Sequence, residues 1–311
     1  MKRQTKQSSD TLPIISAVVV AYYPDGTLLE NLRRLTDQIP EVILVDNDSD
    51  GVSAEIVETA GNLPGVRLIR NGSNLGIATA LNIGIHHALQ AGRRWVATFD
   101  QDTLIPPHYF ERLFEIYELC PSRQNVGMIV PGNWSWSELD HASAAKKHFT
   151  EPAWSFVRAA LNSGSLIKTE VFESAGFYDD ELFLDYVDVE FCLRLQKKGF
   201  KILSATSVVL QHELGIKQTR NLLGFHLSFR IHAAWRYYYI MRNRVVLYRR
   251  YFSAFPLWVL QDVKGLLLEM GRIIFLENGR RQKLHAVFQG ICDGLRGHTG
   301  RHPDFPSVKS G

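Results

Sequence analysis

Two carboxylates lie one residue apart in the segment Asp100-Gln101-Asp102, directly after residues 94–99, which have the pattern of a buried strand. Residues 103–107 predict a loop, so both acids lie where the strand ends. If strand geometry continues to Asp102, the two side chains point to the same side and repel each other unless a cation lies between them. A hard divalent cation that carries diphosphate oxygens would suit this position. Two solvated turn residues are the alternative, because aspartate is common in turns.

A second group of acids, Asp185, Asp188 and Glu190, lies among aromatic side chains. The residues from 187 onward have a helical pattern that ends in a basic turn and Gly199, which favours a helix end. The dipole of a helix stabilises a carboxylate near its start, so one of these aspartates could serve only as a cap. Capping does not account for all three acids, and a chemical role stays open for them.

Alternating strands and helices would position the first pair of acids. Strands are predicted at residues 13–23, 41–45, 66–70 and 94–99, with helices at 28–38, 52–60 and 77–91 between them. This alternation predicts a doubly wound α/β sheet, in which ligands bind beyond the carboxyl ends of the strands. Three of these ends are polar, so we expect them to line one crevice. No GxGxxG follows the first strand, which disfavours a dinucleotide site of the dehydrogenase kind.

The pattern of mixed elements continues through the middle of the chain. We expect a helix at 107–119, a strand at 126–130, a loop at 131–151, a tight turn at 162–165, a short helix at 168–175 and a strand at 201–210 that leads to His212.

Composition and charge limit the class of protein. Three widely spaced cysteines (Cys120, Cys192 and Cys292) indicate neither a disulfide framework nor a zinc site and fit a reducing, cytoplasmic setting. No uncharged run reaches the roughly 18 to 20 residues that span a bilayer. Residues 1–215 hold 19 Lys and Arg against 27 Asp and Glu, whereas residues 216–311 hold 16 against 5. The basic part could meet an anionic surface, a phosphate-bearing substrate or nucleic acid.

Short motifs follow one another along residues 14–215. They are VVVAY at 18–22, VDNDS at 45–49, NLGIATALNIG at 74–84, DQD at 100–102, SGS at 163–165, DYVDVE at 185–190 and His212. In this order and spacing they resemble the inverting, nucleotide-sugar-dependent glycosyltransferases of family 2, which have the GT-A fold. The acidic motif departs from the commoner family form, because Val187 takes the glutamate position and Asp188 the aspartate position.

The form of three motifs restricts the resemblance to one branch of this family. DQD, LFLDYVDVE at 182–190, and RYYY at 236–239 with Arg242-Asn243 are similar to the bacterial rhamnosyltransferase branch. Enzymes of that branch use dTDP-L-rhamnose to build O-antigen and other surface polysaccharides.

The resemblance implies a role for each acid. Asp188 would be the base that takes a proton from the acceptor hydroxyl. Asp102 would bind a divalent cation, Mg2+ or Mn2+, with Asp100 beside the metal or the ribose. His212 could be a further metal ligand or an ordinary loop residue.

The remaining candidates would contact the nucleotide, the donor sugar or the acceptor. They are Tyr22, Asp25, Asp46, Asn47, Asn74, Gly76, Asp100, Ser163, Gly164 and Asp185. Asp46 could instead only close an Asx turn. Gly76 would let the backbone approach a ligand closely. Trp134, Trp136 and Trp154 could stack on an acceptor sugar or pack in the core.

The resemblance also implies a membrane-bound acceptor, a saccharide linked to a polyprenyl diphosphate. From the composition and the extent of the motifs we expect a disordered basic N-terminus at 1–12, a GT-A catalytic domain at 13–215 and a helical, basic, amphipathic region at 216–311. Arg and aromatic residues in the last region suit lipid headgroups, which would place the enzyme peripherally at the cytoplasmic face of the inner membrane. Packing of these helices on the catalytic domain or in a homodimer is the alternative.

Other functions are consistent with parts of the sequence. The same fold could transfer another hexose or deoxysugar from a UDP, dTDP or GDP donor. A nucleic-acid-binding protein is disfavoured by the acidic body and the lack of a recognised binding motif, so we expect no nucleic acid partner. A catalytically dead scaffold is disfavoured because Asp100, Asp102 and Asp188 are all present.

Overall fold

The computed structural model describes residues 14–135, 153–211, 216–222 and 225–305. The first part of the chain alternates strand and helix as its hydrophobic pattern predicts. Its elements are β1 (Ile15–Ala21), α1 (Thr27–Thr36), β2 (Val42–Asp46), α2 (Gly51–Gly61), β3 (Val66–Arg70), α3 (Ile77–Gln90) and β4 (Trp95–Asp100).

The middle of the chain adds strands to the same sheet and helices to its faces. Its elements are α4 (Tyr109–Leu119), β5 (Val126–Ser135), β6 (Trp154–Phe156), β7 (Ser165–Lys168), α5 (Glu170–Ala175), α6 (Val187–Lys197) and β8 (Lys201–Gln211).

Strand β5 corrects one expectation, because it continues to Ser135 where the sequence predicts a loop from residue 131. Proline and glycine at positions 131 and 132 favour the loop prediction. They are tolerated because the pairing of β5 with β8 shifts register between Pro131 and Asn133, as in a β-bulge. The rest of the predicted loop, including Trp136, lies outside the described residues.

One eight-stranded mixed sheet has the order β3-β2-β1-β4-β7-β5-β8-β6. Strand β1 pairs in parallel with β2 and β4, and the register places Ala21 opposite Asp46 and Val20 opposite Asp100. The carboxyl ends of the three strands therefore lie side by side. This arrangement confirms the doubly wound mixed sheet and brings its polar ends to one edge.

Both faces of the sheet are covered, because β1 and β2 are buried at every position rather than at alternate ones. Helices α1 and α4 cover one face, where Leu28 and Leu32 pack with Phe110. Helices α3 and α6 cover the other face, where Leu81 packs in the same cluster as Phe191. Since each buried leucine or phenylalanine contributes roughly 1.5–3 kcal/mol, these layers hold the strand ends in place.

The C-terminal region begins with a hairpin and continues as three helices. Its elements are β9 (Ile216–Leu222), β10 (Phe225–Ile231), α7 (Ala234–Tyr251), α8 (Pro256–Phe275) and α9 (Arg280–Arg296). The hairpin corrects the expectation of helices from residue 216. Its physical reason is the alternation of apolar and polar residues along 225–231, a period of two that favours a strand. The division into domains at residue 215 stays a prediction.

Helices α7 and α9 can lie close together because Gly290 and Gly294 of α9 carry no side chains. An added Cβ at either glycine would clash with the backbone of α7. Among the described residues, none of the helices is long and apolar enough to cross a membrane.

Candidate active site

Asp100 is the last residue of β4 and Asp102 lies in the turn that follows, and buried polar side chains fix this part of the chain. The Ser163 hydroxyl oxygen accepts a hydrogen bond from the Asp100 N–H at 3.0 Å and lies 2.6 Å from the Thr103 hydroxyl. The Asn31 amide donates to the Asp100 carbonyl at 3.1 Å. Ser163, which the sequence predicts as a ligand contact, therefore holds the turn that presents the two acids.

Gln101, between the two acids, ties this turn to the end of β1. Its side-chain oxygen accepts a hydrogen bond from the Tyr22 N–H at 2.7 Å. The Tyr22 hydroxyl is buried and has no hydrogen-bond partner in the part of the chain that the structure describes. Buried hydroxyls are normally paired, so this one is an exception, and the expected contact of Tyr22 with the nucleotide stays a prediction.

Asp46 is the last residue of β2 and Asn47 follows it, and both are buried. Asp46 accepts a hydrogen bond from the Ser49 N–H at 3.1 Å, three residues further along the chain, whereas an Asx turn uses the N–H two residues on. The Asn47 side chain organises the next loop, because it donates to the Asn74 side-chain oxygen and accepts from the Leu75 N–H, both at 3.0 Å. The loop at 71–76 thus depends on a side chain that the sequence predicts to bind nucleotide.

Gly76 has a φ of +86°, and its neighbour is the loop before α6. An added Cβ would lie 2.6 Å from the Phe183 carbonyl oxygen. That oxygen accepts a hydrogen bond from the Ile77 N–H at 2.9 Å. The close backbone approach expected at Gly76 is therefore made to Phe183, and a ligand contact there stays a prediction.

Three other candidates make contacts that stabilise the fold. Asp25 is exposed and accepts a hydrogen bond from the Thr27 N–H at 2.8 Å at the start of α1. Gly164 is buried, has a φ of +81° and leaves no room for a side chain beside Leu210. Trp154 packs against the core, in keeping with the second of its two expected roles.

Asp185 and Asp188 lie at the entry to α6. Asp185 has a φ of +58° and forms a two-pronged ion pair with Arg236 of α7, at 3.0 Å from Nε and 2.8 Å from Nη2. Asp188 lies in the first turn of α6 and accepts a hydrogen bond from the Val189 N–H at 2.8 Å.

Electrostatic coupling indicates that the two groups of acids are close together. Burial, with the charges of Asp185 and Asp100 added to it, raises the pKa of Asp188 to about 7. The negative charge of Asp185 raises the pKa of Arg236, with smaller contributions from Asp100 and Asp188. A carboxyl group with a pKa near neutrality can take a proton from a hydroxyl group and release it again at the operating pH.

Glu190, the third acid of the cluster, has a structural role. It is 2% exposed and pairs with Arg194 at 2.8 Å. It also accepts a hydrogen bond from the Tyr251 hydroxyl of α7 at 2.7 Å. This carboxylate therefore joins α6 to the C-terminal region.

The residues suited to hold a cation are the carboxylates of Asp100 and Asp102, which are hard oxygen donors. His212 lies outside the described residues. Within the described ranges, no three His, Cys, Asp or Glu side chains converge as a metal site. The fit to a divalent cation thus rests on the chemistry of the two carboxylates at the crevice.

Sequence reasoning assigned no role in the active site to Gln101, Arg236 or Asn243. It expected the Arg and aromatic residues at 236–244 to suit lipid headgroups, whereas the structure buries Arg242 and Asn243 and pairs Arg236 with Asp185. Arg236 and Asn243 belong to the motifs that resemble the rhamnosyltransferases. This membership is the sequence feature that could have identified them as part of the site. Their partners on the loop before α6 lie more than fifty residues away, with separations of 51 and 58.

Comparison with known proteins agrees with the geometry. The family model for glycosyl transferase family 2 matches residues 16–178, just over half of the chain. The chain is 30% identical over 302 residues to the dTDP-rhamnosyl transferase RfbF of Shigella flexneri, covering 92% of this chain and 97% of that protein. It is 25% identical over 242 residues to an N-acetylglucosaminyl-diphospho-decaprenol L-rhamnosyltransferase of Mycobacterium tuberculosis, covering 66% and 77%.

A solved structure gives the same fold. The mannosyltransferase PcManGT from Pyrobaculum calidifontis, in complex with GDP-Man and Mn2+, matches with a TM-score of 0.55 at 15% identity. The match covers 92% of this chain and 88% of that one. With a GT-A sheet, the family match and the extended similarity to bacterial rhamnosyltransferases, this chain belongs to glycosyl transferase family 2 and is a glycosyltransferase.

Proposed function

We propose that this protein transfers L-rhamnose from dTDP-L-rhamnose to a lipid-linked saccharide in the synthesis of a bacterial surface polysaccharide such as O-antigen. The observation that carries the proposal is the set of acids at the sheet edge and the start of α6, where Ser163 fixes Asp100, Arg236 pairs with Asp185, and Asp188 lies in the first helical turn. The similarity to RfbF, a dTDP-rhamnosyl transferase, supports the choice of donor. The name of the mycobacterial relative supports a lipid-linked acceptor.

The reaction is a direct displacement with inversion at the anomeric carbon. Asp188 takes the proton of the acceptor hydroxyl while the hydroxyl oxygen attacks the anomeric carbon. The bond between that carbon and the diphosphate oxygen breaks, and the nucleoside diphosphate leaves. Arg236 holds Asp185 beside the base and adds positive charge to a crevice lined with acids. Tyr22, Asp46 and the loop ordered by Asn47 contact the nucleotide.

A divalent cation, Mg2+ or Mn2+, would be held by Asp102 and Asp100, together with His212. When bound, it would neutralise the charge that develops on the leaving diphosphate. Asp102→Ala should therefore weaken donor binding and cation dependence together.

A donor screen tests the proposed reaction. The purified protein would be incubated with Mg2+ and dTDP-L-rhamnose, UDP-hexoses or GDP-mannose, and release of the nucleoside diphosphate would be measured. We expect the wild type to release nucleoside diphosphate fastest from dTDP-L-rhamnose. The Asp188→Asn variant should release none. Preference for another donor would contradict the rhamnose assignment but keep the sugar-transfer mechanism.

We also propose that α8 provides the peripheral contact with the membrane. Its exposed face is apolar and carries Lys264, with leucine, isoleucine and phenylalanine side chains 37–80% exposed. These are Leu257, Leu260, Leu267, Leu268, Ile274 and Phe275. The acids of the same helix face inward, where Asp262 and Glu269 pair with Arg244 at 3.0 and 2.6 Å. An apolar face with basic charge and inward acids suits an anionic lipid surface.

Co-sedimentation with phosphatidylglycerol vesicles tests the membrane contact. Replacing Leu267 and Leu268, which are 67% and 69% exposed, by glutamine should abolish binding. Leu119→Gln on α4 is the matched control, because Leu119 is 65% exposed on another part of the surface. Loss of a homodimer instead of vesicle binding in the double variant would assign the face to a second copy of the chain.

A further inference from the structure

The loop at 182–186 leads directly into the turn of α6 that carries Asp188, and its carbonyl groups are held from outside the loop. Asn243 of α7 donates from its side-chain amide to the carbonyls of Leu182, Leu184 and Asp185 at 2.9, 2.7 and 2.8 Å. The Phe183 carbonyl accepts from the Ile77 N–H at 2.9 Å. Four successive carbonyls are thus fixed by α3 and α7.

The backbone of this loop is strained. Phe183, Asp185 and Tyr186 have φ values of +60°, +58° and +62°, in the region that residues with side chains rarely adopt. Around Phe183 the Leu184 N–H donates to the Leu182 carbonyl at 2.6 Å, which makes a γ-turn of the strained kind. Such conformations persist only where the surrounding structure fixes them, and they are concentrated at functional sites.

Asn243 is suited to fix the strained loop. Its side chain is fully buried, so its amide has no access to water as an alternative partner. Its neighbour Arg242 is 1% exposed and adds a hydrogen bond from Nη2 to the Leu182 carbonyl at 2.9 Å. Without Asn243, the carbonyls of Leu184 and Asp185, which are partly buried, lose the donor that the structure gives them, which is unfavourable for groups shielded from water.

We propose that Asn243 is a positioning residue, which holds the 182–186 loop from α7 and thereby sets the position of Asp188 at the acceptor hydroxyl. This inference rests on the proposed function only for the identity of the base. It assigns part of the active-site architecture to the C-terminal region, beyond the residues that match the family model.

The test compares three variants of the full-length protein. Asn243→Ala removes the amide, and Asn243→Ser keeps one donor and covers the case in which the alanine variant does not fold. Tyr237→Phe is the matched control on the same helix. It removes a buried hydrogen bond of 2.9 Å to Glu277 but none to the loop. All measurements are made at a temperature at which circular dichroism shows each variant folded.

Two readouts separate positioning from simple destabilisation. Hydrogen exchange of the amides at 182–190 should accelerate about tenfold or more in Asn243→Ala and less in Asn243→Ser, with no change in Tyr237→Phe. The kcat of sugar transfer should fall about tenfold or more in Asn243→Ala, because small displacements of a catalytic group have large effects. The Kd for dTDP should stay within about threefold of the wild-type value. The reason is that Tyr22, Asp46 and Asn47, which are proposed to contact or order the nucleotide site, form no hydrogen bond with Asn243.

The proposal is overturned if loop exchange in both Asn243 variants equals that of the wild type. It is also overturned if their kcat falls no further than in Tyr237→Phe. A wild-type protein that transfers no sugar would contradict the proposed function, whereas the exchange comparison would still decide whether Asn243 holds the loop.

Discussion

Replacing Asp188 by asparagine should abolish sugar transfer and yet stabilise the folded protein above neutral pH. The raised pKa of Asp188 means that its ionised form is less favourable in the folded protein than in the unfolded chain. Asparagine has nearly the same shape, can accept the same hydrogen bond from the Val189 N–H and carries no charge. The substitution therefore removes a charge that the fold tolerates for catalysis.

The size of the effect follows from the pKa. Raising it from 3.8 to about 7 corresponds to about 4 kcal/mol as an upper limit, at about 1.4 kcal/mol for each pH unit. Because the folded protein binds the proton more tightly, the wild type loses this stability as the pH rises from 3.8 to about 7. The asparagine variant should gain nothing below about pH 4, gain progressively up to about pH 7 and keep a constant advantage above it.

Urea unfolding in EDTA at pH 4, 6 and 8 measures this difference in the free energy of unfolding. Asp25→Asn is the control, because Asp25 is exposed and also accepts a hydrogen bond at a helix start. Because Asp25 is exposed and asparagine can accept the same hydrogen bond, this variant should change the free energy of unfolding by no more than about 0.5 kcal/mol. An Asp188→Asn variant less stable than the wild type at pH 8 would refute the reasoning and favour a capping role. Turnover close to the wild-type value would refute the base assignment.

Three further results are expected. Transfer should stop in EDTA and return with Mg2+ or Mn2+, and full activity in EDTA would rule out the metal site. The kcat should rise with pH and level off at or below about pH 7, because a bound cation lowers the pKa of Asp188. Gly76→Ala should lower the free energy of unfolding by at least about 1–3 kcal/mol. Gly72→Ala should lower it less, because a Cβ at Gly72 meets nothing within 4 Å, whereas one at Gly76 meets Phe183. Equal losses for the two variants in urea unfolding would contradict this explanation. Glu190→Gln should destabilise by about 3–5 kcal/mol by leaving the Arg194 charge without its partner, while the kcat of the folded fraction stays near the wild-type value; a selective loss of kcat would give Glu190 a catalytic role.

Local pattern was sufficient for the sheet and for the acids at its edge. The alternation of strand and helix patterns predicted the doubly wound sheet, and the polar residues at three strand ends predicted that these ends lie together. The C-terminal hairpin was missed, although residues 225–231 alternate, because the basic and aromatic composition of the region favoured amphipathic helices. The strand continuation at Pro131 was hidden by residues that usually end strands.

The contacts that fix the site could not be predicted in the same way. The Asn243 amide reaches carbonyls 58 to 61 residues earlier in the chain, and such bonds leave no periodic signal. Gly76 shows the same limit. Its sequence context indicated a turn with close backbone approach, but only the fold reveals that the neighbour is Phe183.

The hydrogen bonds from α7 to the loop before α6 limit how this enzyme can be divided or recombined. A fragment that ended at residue 215 would lack Asn243 and Arg236, and also Tyr251, the hydroxyl partner of Glu190. A chimaera with the C-terminal region of a relative would need a matching amide and guanidinium at the same positions along its helix. Engineering of acceptor preference by exchange of this region therefore requires that residues 182–186 be exchanged with it.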